Sequence, residues 1–201
     1  MLLIVRNCLM LIVISAVGVC SAKEVGGDFT LVAHDGSEYS LQDSRGKVVV
    51  IAFGYTFCPD ICPTALSTIS SALNSLGDDV DLVDALFVSL DPERDTLEHL
   101  AEYTQYFHTN LLGLTGTPEQ LHEIAKLYQV RYDFVDKGTN KYYTMDHSAN
   151  LYIIDAEGNL VRILPHGLPP QALLDSLRFA IVTSQQSMSH QSTHHETFVK
   201  R

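Results

Sequence analysis

Cysteine is scarce in this chain. Of four among 201 residues, Cys8 and Cys20 fall in an apolar N-terminal stretch, which leaves only Cys58 and Cys62 for everything after it. A single close pair excludes a disulfide scaffold. A loop this short would also contribute little as a staple, because the entropic gain grows with loop length, so the pair reads as chemical rather than structural. The arrangement is C-x-x-x-C and lacks the C-x-x-C spacing usual in redox motifs. Basic residues are few as well: 13 Lys and Arg stand against 24 Asp and Glu, a formal net charge of −11. That balance argues against nucleic acid and against an anionic membrane surface as partners. It suits a domain that handles a cation or meets a basic protein. No internal repeat is visible.

Long apolar runs are confined to the N-terminus. Met1 to Val19 is almost wholly apolar, broken by Arg6 and Asn7, and Cys8 to Val19 carries no charge. Residues 1–22 therefore read as a signal peptide, with Cys20-Ser21-Ala22 as a small-residue cleavage region, or as an uncleaved membrane anchor. A lipobox ending at Cys20 is the weaker reading, because Val19 is bulky where a small residue is expected. Signal and anchor both mean export, to the periplasm if the source is bacterial. Without residues 1–22 the charge becomes −12, since Arg6 goes and no acidic residue does. The folded domain is expected over residues 27–183. A disordered Ser/His/Gln-rich tail is expected over 184–201.

The apolar run Val48 to Phe53 reads as a buried strand. Thr64 to Leu76 follows as a helix, with apolar positions at Ala65, Leu66, Ile69, Ala72, Leu73 and Leu76. Pro63 is placed at the first helical position, Cys62 at the N-cap and Cys58 in the preceding turn. Around this unit, Phe29 to Leu41 reads as a hairpin turning at Asp35-Gly36. Ala85 to Leu90 is a second buried strand. Leu97 to Phe107 is a helix, and Thr117-Pro118-Glu119-Gln120 opens another. Residues 130–146 read as an extended, hairpin-like insertion turning near Lys137-Gly138-Thr139-Asn140. Strands follow at Asn150–Ile154 and Leu160–Leu164, and a last helix runs from Pro170 to about Thr183. The order is α/β and fits a thioredoxin-like sheet with additions. The cysteines then lie at the carboxyl end of a central strand, where open α/β sheets place their chemistry.

Two thiols at a strand–helix junction suit a reversible disulfide or a soft-metal site, because the positive end of the helix favours thiolate. Most of the nine histidines have ordinary surface readings: His34 in a turn, His99, His108 and His122 on polar faces or ends of helices, His166 before a glycine loop. His147, in Asp146-His147-Ser148, is different. In a thioredoxin-like layout its loop faces the cysteine turn, and two thiolates with one imidazole would hold copper as Cu(I) or Cu(II), since soft thiolates select Cu(I) and imidazole suits either oxidation state. Asp91-Pro92 reads as a turn and Asp95-Thr96 as a helix cap. Met145 reads as a packed or exposed methionine, and Met188, His190, His194 and His195 as part of a solvated terminus rather than a second copper site.

Three blocks carry a resemblance: Gly54 to Pro63, Asp91 to Thr96, and Asp146-His147-Ser148. They resemble, in order, the signature blocks of the Sco/SenC family of copper-binding assembly proteins, over about residues 27–182. The resemblance implies a thioredoxin-like fold, an N-terminal anchor, and copper held by Cys58, Cys62 and His147, with Asp91 an accessory acidic residue. It also implies delivery of copper to, or thiol reduction of, the binuclear copper site of cytochrome c oxidase. The leading expectation is thus a copper chaperone whose thiols are kept reduced by a thiol reductant. The alternative is a thiol–disulfide oxidoreductase, with Cys58 attacking, Cys62 resolving, and a Cys58–Cys62 disulfide in the oxidised form. Against that alternative stand the three-residue spacing and His147 where proline is usual. A peroxiredoxin-like peroxidase ranks lower, since Tyr55 occupies the position three before Cys58 where threonine is wanted.

Overall fold

In the computed structural model, which describes residues 25–138 and 142–199, the organising element is a strand with no exposed residue, Val48–Gly54. Numbered in chain order, the strands are β1 (Thr30–Ala33), β2 (Glu38–Ser40), β3 (Val48–Gly54), β4 (Val83–Ser89), β5 (Leu111–Thr115), β6 (Tyr132–Val135), β7 (Thr144–His147), β8 (Leu151–Ile154) and β9 (Leu160–Leu164). The helices are α1 (Ile61–Leu76), α2 (Leu97–Phe107), α3 (Pro118–Leu127) and α4 (Pro170–Val199). Seven strands form one sheet in the order β2-β1-β5-β4-β3-β8-β9, while β6 and β7 pair separately as an antiparallel hairpin. Strand β3 runs parallel to β4 and antiparallel to β8, and β4 runs parallel to β5. A strand covered on both faces reads as a continuous apolar run, and Val48 to Phe53 is one.

Helix α1 buries Ala65, Leu66, Ile69, Ala72, Leu73 and Leu76, the face its periodicity predicts, and packs against α4. Each fully buried Leu or Ile there contributes about 1.5–3 kcal/mol of apolar transfer. Rings tie the sheet's other face together: Phe53 meets Tyr128 and Tyr152, and Phe29 meets Tyr128. Helix α3 opens on the expected capping box, with Thr117 and Gln120 capping each other's backbone amides. Among the described residues no helix is long and apolar enough to cross a membrane.

Three elements differ from expectation. Helix α1 begins at Ile61 with Asp60 at the N-cap, two residues earlier than predicted, so Cys62 and Pro63 lie inside its first turn. Proline is harmless there because the first four amides have no intrahelical acceptor. Strand β5 was not foreseen, since Gly113 interrupts a run of only five residues. That glycine has a reason: a Cβ on it would press on His34 Nδ1, Thr104 Cγ2 and Leu100 Cβ at 3.2–3.3 Å. Finally, α4 continues to Val199 rather than closing near Thr183. Residues 184–199 contain no proline or glycine to stop a helix already nucleated. The side chains of Met188, His190, His194 and His195, like residues 1–24 and the Thr139-Asn140 part of the insertion's turn, lie outside the described residues.

Candidate metal centre

Where β3 ends, the chain turns through Tyr55-Thr56-Phe57 and presents Cys58 just ahead of α1. Asp60 makes no side-chain cap for the helix. Instead the Cys62 amide, second in the helix, donates to Cys58 Sγ at 3.5 Å. The sulfur thus occupies the acceptor role of an N-cap side chain, at the positive end of the helix dipole. Cys58 is half-buried and Cys62 is 2% exposed.

The third group arrives from the hairpin. His147 closes β7, and its Nε2 lies 3.3 Å from Cys62 Sγ across 85 residues of sequence. Its Nδ1 lies 3.0 Å from the Ser148 carbonyl, which can only accept, so that nitrogen carries the proton and Nε2 keeps its lone pair toward the sulfurs. One ligand atom from each of Cys58, Cys62 and His147 falls within 4.8 Å of the others. The Tyr55 ring meets the imidazole edge-on at 6.0 Å. An open groove of about 450 Å³, lined by Cys58, Asp60, Ile61, Met145 and His147 among others, gives access from outside. Phe57 stands 52% exposed beside it.

The two thiols are electrostatically unequal. Hydrogen bonding from the Cys62 thiol, with the Asp60 and Cys62 amides, outweighs partial burial and holds the Cys58 pKa down to about 3. Cys62 is pushed up by the same partnership and by burial. The pair therefore holds one proton, with the charge on Cys58, until a cation displaces it. Two soft sulfurs and one imidazole nitrogen are a donor set that copper accepts readily.

Residues that sequence reasoning treated as turn and cap hold this loop in place. Thr96 caps α2, accepting from the His99 amide at 3.2 Å, but Asp95 faces inward and is 1% exposed. It accepts from the Thr56 amide (2.9 Å), Thr56 Oγ1 (2.6 Å) and Ser89 Oγ (2.5 Å), which fixes the turn leading to Cys58. Burial raises its pKa despite these donors. Asp91, fully buried, is not among the clustered ligands; it accepts from Arg94 Nε at 2.5 Å and from Tyr143 Oη at 2.7 Å. No local signal in the sequence marks Thr56, Arg94 or Tyr143, because their partners are remote. The Met145 side chain is buried, and its amide donates to Tyr55 Oη at 3.2 Å. His34 accepts from the Gly113 amide at 3.1 Å and so joins β1 to β5. His99 lies edge-on to Phe57.

Comparison with known proteins agrees with this geometry. The family model described as SCO1/SenC matches residues 19–181. The mitochondrial SCO2 homolog of Bos taurus is 37% identical over 154 residues, covering 76% of this chain and 58% of that protein. Among solved structures, Arabidopsis thaliana ScoI with copper bound matches with a TM-score of 0.72 at 34% identity, covering 79% of this chain and 99% of that one. Bradyrhizobium japonicum ScoI with copper bound gives 0.71 at 36% identity, over 78% and 99%. The chain spans about half the length of the curated relatives it matches.

Proposed function

The chain belongs to the SCO1/SenC family, and from that premise we propose that it binds copper through Cys58, Cys62 and His147 and hands it to an exported acceptor. The observation that carries this reading is the convergence of two sulfurs and one imidazole nitrogen within 4.8 Å. A three-ligand site would leave room for an incoming ligand, and the groove beside Cys58 gives an acceptor's own ligands a path to it. Transfer is then stepwise ligand exchange, with the copper as cargo rather than resident cofactor. By family resemblance the acceptor is the copper-site subunit of cytochrome c oxidase, met outside the cytoplasm. The N-terminal stretch serves as export signal or anchor.

A second reading is favoured by the depressed Cys58 pKa. As thiolate, Cys58 attacks one sulfur of a partner's disulfide and forms a mixed disulfide while the other partner sulfur leaves as thiolate. Cys62 then attacks Cys58 and releases the partner fully reduced. Two electrons pass to the partner, a Cys58–Cys62 disulfide remains, and an external thiol reductant restores the dithiol.

The test is anaerobic copper titration of the reduced chain, read by native mass spectrometry, on the unchanged protein, Cys58→Ser, His147→Ala and Cys58→Ser/Cys62→Ser. One copper per chain, weakened by both single changes, is expected. Copper held no better than by the double-serine protein sinks the chaperone reading and leaves the exchanger.

A further inference from the structure

The β6–β7 hairpin that carries His147 lies outside the main sheet and is tied to the rest of the described residues by side chains, with Met145 in the core and Tyr132 and Phe134 packed against it. An isolated two-stranded hairpin is marginal in water. Its position against the thiols is set by the buried Met145, whose amide donates to Tyr55 Oη, and by one further side chain that reaches both sides of the site.

Arg94 lies in the loop between β4 and α2. On the histidine side, its Nη1 donates to the Tyr143 carbonyl at 2.7 Å, and its Cζ sits 3.6 Å from the centre of the Tyr143 ring. Tyr143 immediately precedes β7. On the thiol side, the guanidinium lies 4.9 Å from the ring of Phe57, the neighbour of Cys58, and 5.5 Å from that of Tyr55. Buried Asp91 anchors the assembly, accepting from Arg94 Nε with one oxygen and from Tyr143 Oη with the other. A planar fork that stacks while donating from two edges suits arginine, and lysine cannot reproduce it. The adjacent Lys137–Glu93 pair at 2.8 Å joins the same loop to the same hairpin from the exposed side, where such a pair contributes little.

We propose that Arg94, seated on Asp91 and Tyr143, is a positioning residue that latches the histidine-bearing hairpin to the thiol loop and thereby sets how firmly His147 serves as the third ligand. The latch touches no ligand atom. It acts through the placement of β7, while Cys62 is held in the first turn of α1 and Cys58 in a turn fixed separately by Asp95. This rests on the copper-binding reading above.

The test is a double-mutant cycle on the full chain, measuring Cu(I) affinity by competition with a chromogenic chelator. Outer partners of metal ligands typically carry 10–100-fold in affinity, so Arg94→Gln is expected to lower Cu(I) affinity about tenfold. In a His147→Ala background the same change should do about nothing, and Arg94→Lys should not restore affinity. Tyr143→Phe keeps the stacked ring and loses only the bond to Asp91, so it should show the same dependence on His147 at smaller amplitude. In metal-free protein, Arg94→Gln should speed hydrogen exchange at the Met145 and Ser148 amides and leave Val50 and Ile51 unchanged. An equal affinity loss in both backgrounds, or hairpin exchange no faster than in the unchanged protein, overturns the latch. If the unchanged chain binds no copper, the functional reading fails, and the exchange measurement still decides whether Arg94 holds the hairpin.

Discussion

Gly54→Ala is the most economical perturbation of this site, because it adds one methyl and touches no ligand directly. Gly54 is the last residue of β3 and has no left-handed backbone that would itself demand glycine. Its requirement is space. A Cβ there would meet Cys62 Sγ inside any distance real Cβ atoms show, with Phe87 Cε2 at 3.1 Å and Cys62 Cβ at 3.5 Å. Non-bonded heavy atoms rest near 3.5–4.0 Å, so the thiol must retreat by about an ångström. It cannot retreat into solvent, since Cys62 is 2% exposed and Phe87 1%. Either the Cys62 rotamer changes or the first turn of α1 lifts, and either breaks the 3.3 Å approach of Cys62 Sγ to His147 Nε2. Overpacking of this kind costs about 1–3 kcal/mol. At about 2 kcal/mol, the midpoint of thermal unfolding falls by roughly 4–8 °C for a domain of this size. Copper affinity should fall by about tenfold or more, because a ligand atom has moved. Gly138→Ala is the control, since among the described residues its Cβ would meet nothing within 4 Å, and its effect should stay within about 0.5 kcal/mol. Calorimetry and chelator competition on the two variants decide the matter. A Gly54→Ala protein with unchanged unfolding midpoint and unchanged copper affinity would refute the claim that this glycine exists to seat the Cys62 thiol.

The unequal thiols predict unequal chemistry: with its pKa held down to about 3, Cys58 should be alkylated by iodoacetamide at pH 5 nearly as fast as at pH 7, while Cys62 reacts only after unfolding. A rate that climbs tenfold per pH unit up to pH 8 would mean an ordinary cysteine. Removing Asp95 strands the Thr56 and Ser89 donors in a buried site, so Asp95→Ala should destabilise by about 3 kcal/mol, on the scale of hydrogen bonds to charged groups, in denaturant titration. Because burial raises the Asp95 pKa in the folded state, that state binds the proton more tightly than the unfolded chain does. Stability of the unchanged protein relative to Asp95→Asn should therefore fall as pH rises above about 4, and level off above the raised pKa. A pH-independent difference between those two proteins would contradict the assignment.

What could be read without coordinates was whatever a local pattern encodes. The strand through Val48 to Phe53, the apolar face of α1 and the capping box of α3 all depend on residues within a few positions of one another. Strand β5 escaped because a five-residue segment holding a glycine has too little pattern, and its glycine answers to α2 and His34, elements distant in sequence. The start of α1 was misplaced for a related reason. The acceptor expected in the chain order of a cap is supplied by a sulfur, Cys58 Sγ, on the residue before Pro59. The polar core around Asp91 and Asp95 was hidden more deeply. An aspartate that accepts from a residue 39 positions earlier, as Asp95 does, or 52 positions later, as Asp91 does, has the same local sequence as one that ends a turn.

The same division between local and remote structure bears on how the proposed transfer would run. Cys62 is borne by the first turn of α1, where displacement must disturb the core, and Cys58 by the half-buried turn between β3 and α1. The imidazole is borne by a hairpin outside the main sheet, held by Arg94, by the Tyr55–Met145 hydrogen bond and by the Arg131–Ser148 pairing at its base. Opening free energies within one protein range from near zero to the global value, and segments with few packed contacts lie at the low end. Of the proposed ligands, His147 therefore yields at less cost than buried Cys62, and an acceptor entering along the groove meets it beside Cys58. Ligand exchange that begins by replacing the imidazole leaves copper on two sulfurs, one of them fixed in the core, held but open. An order that began at Cys62 would have to dislodge a buried side chain before any new bond formed.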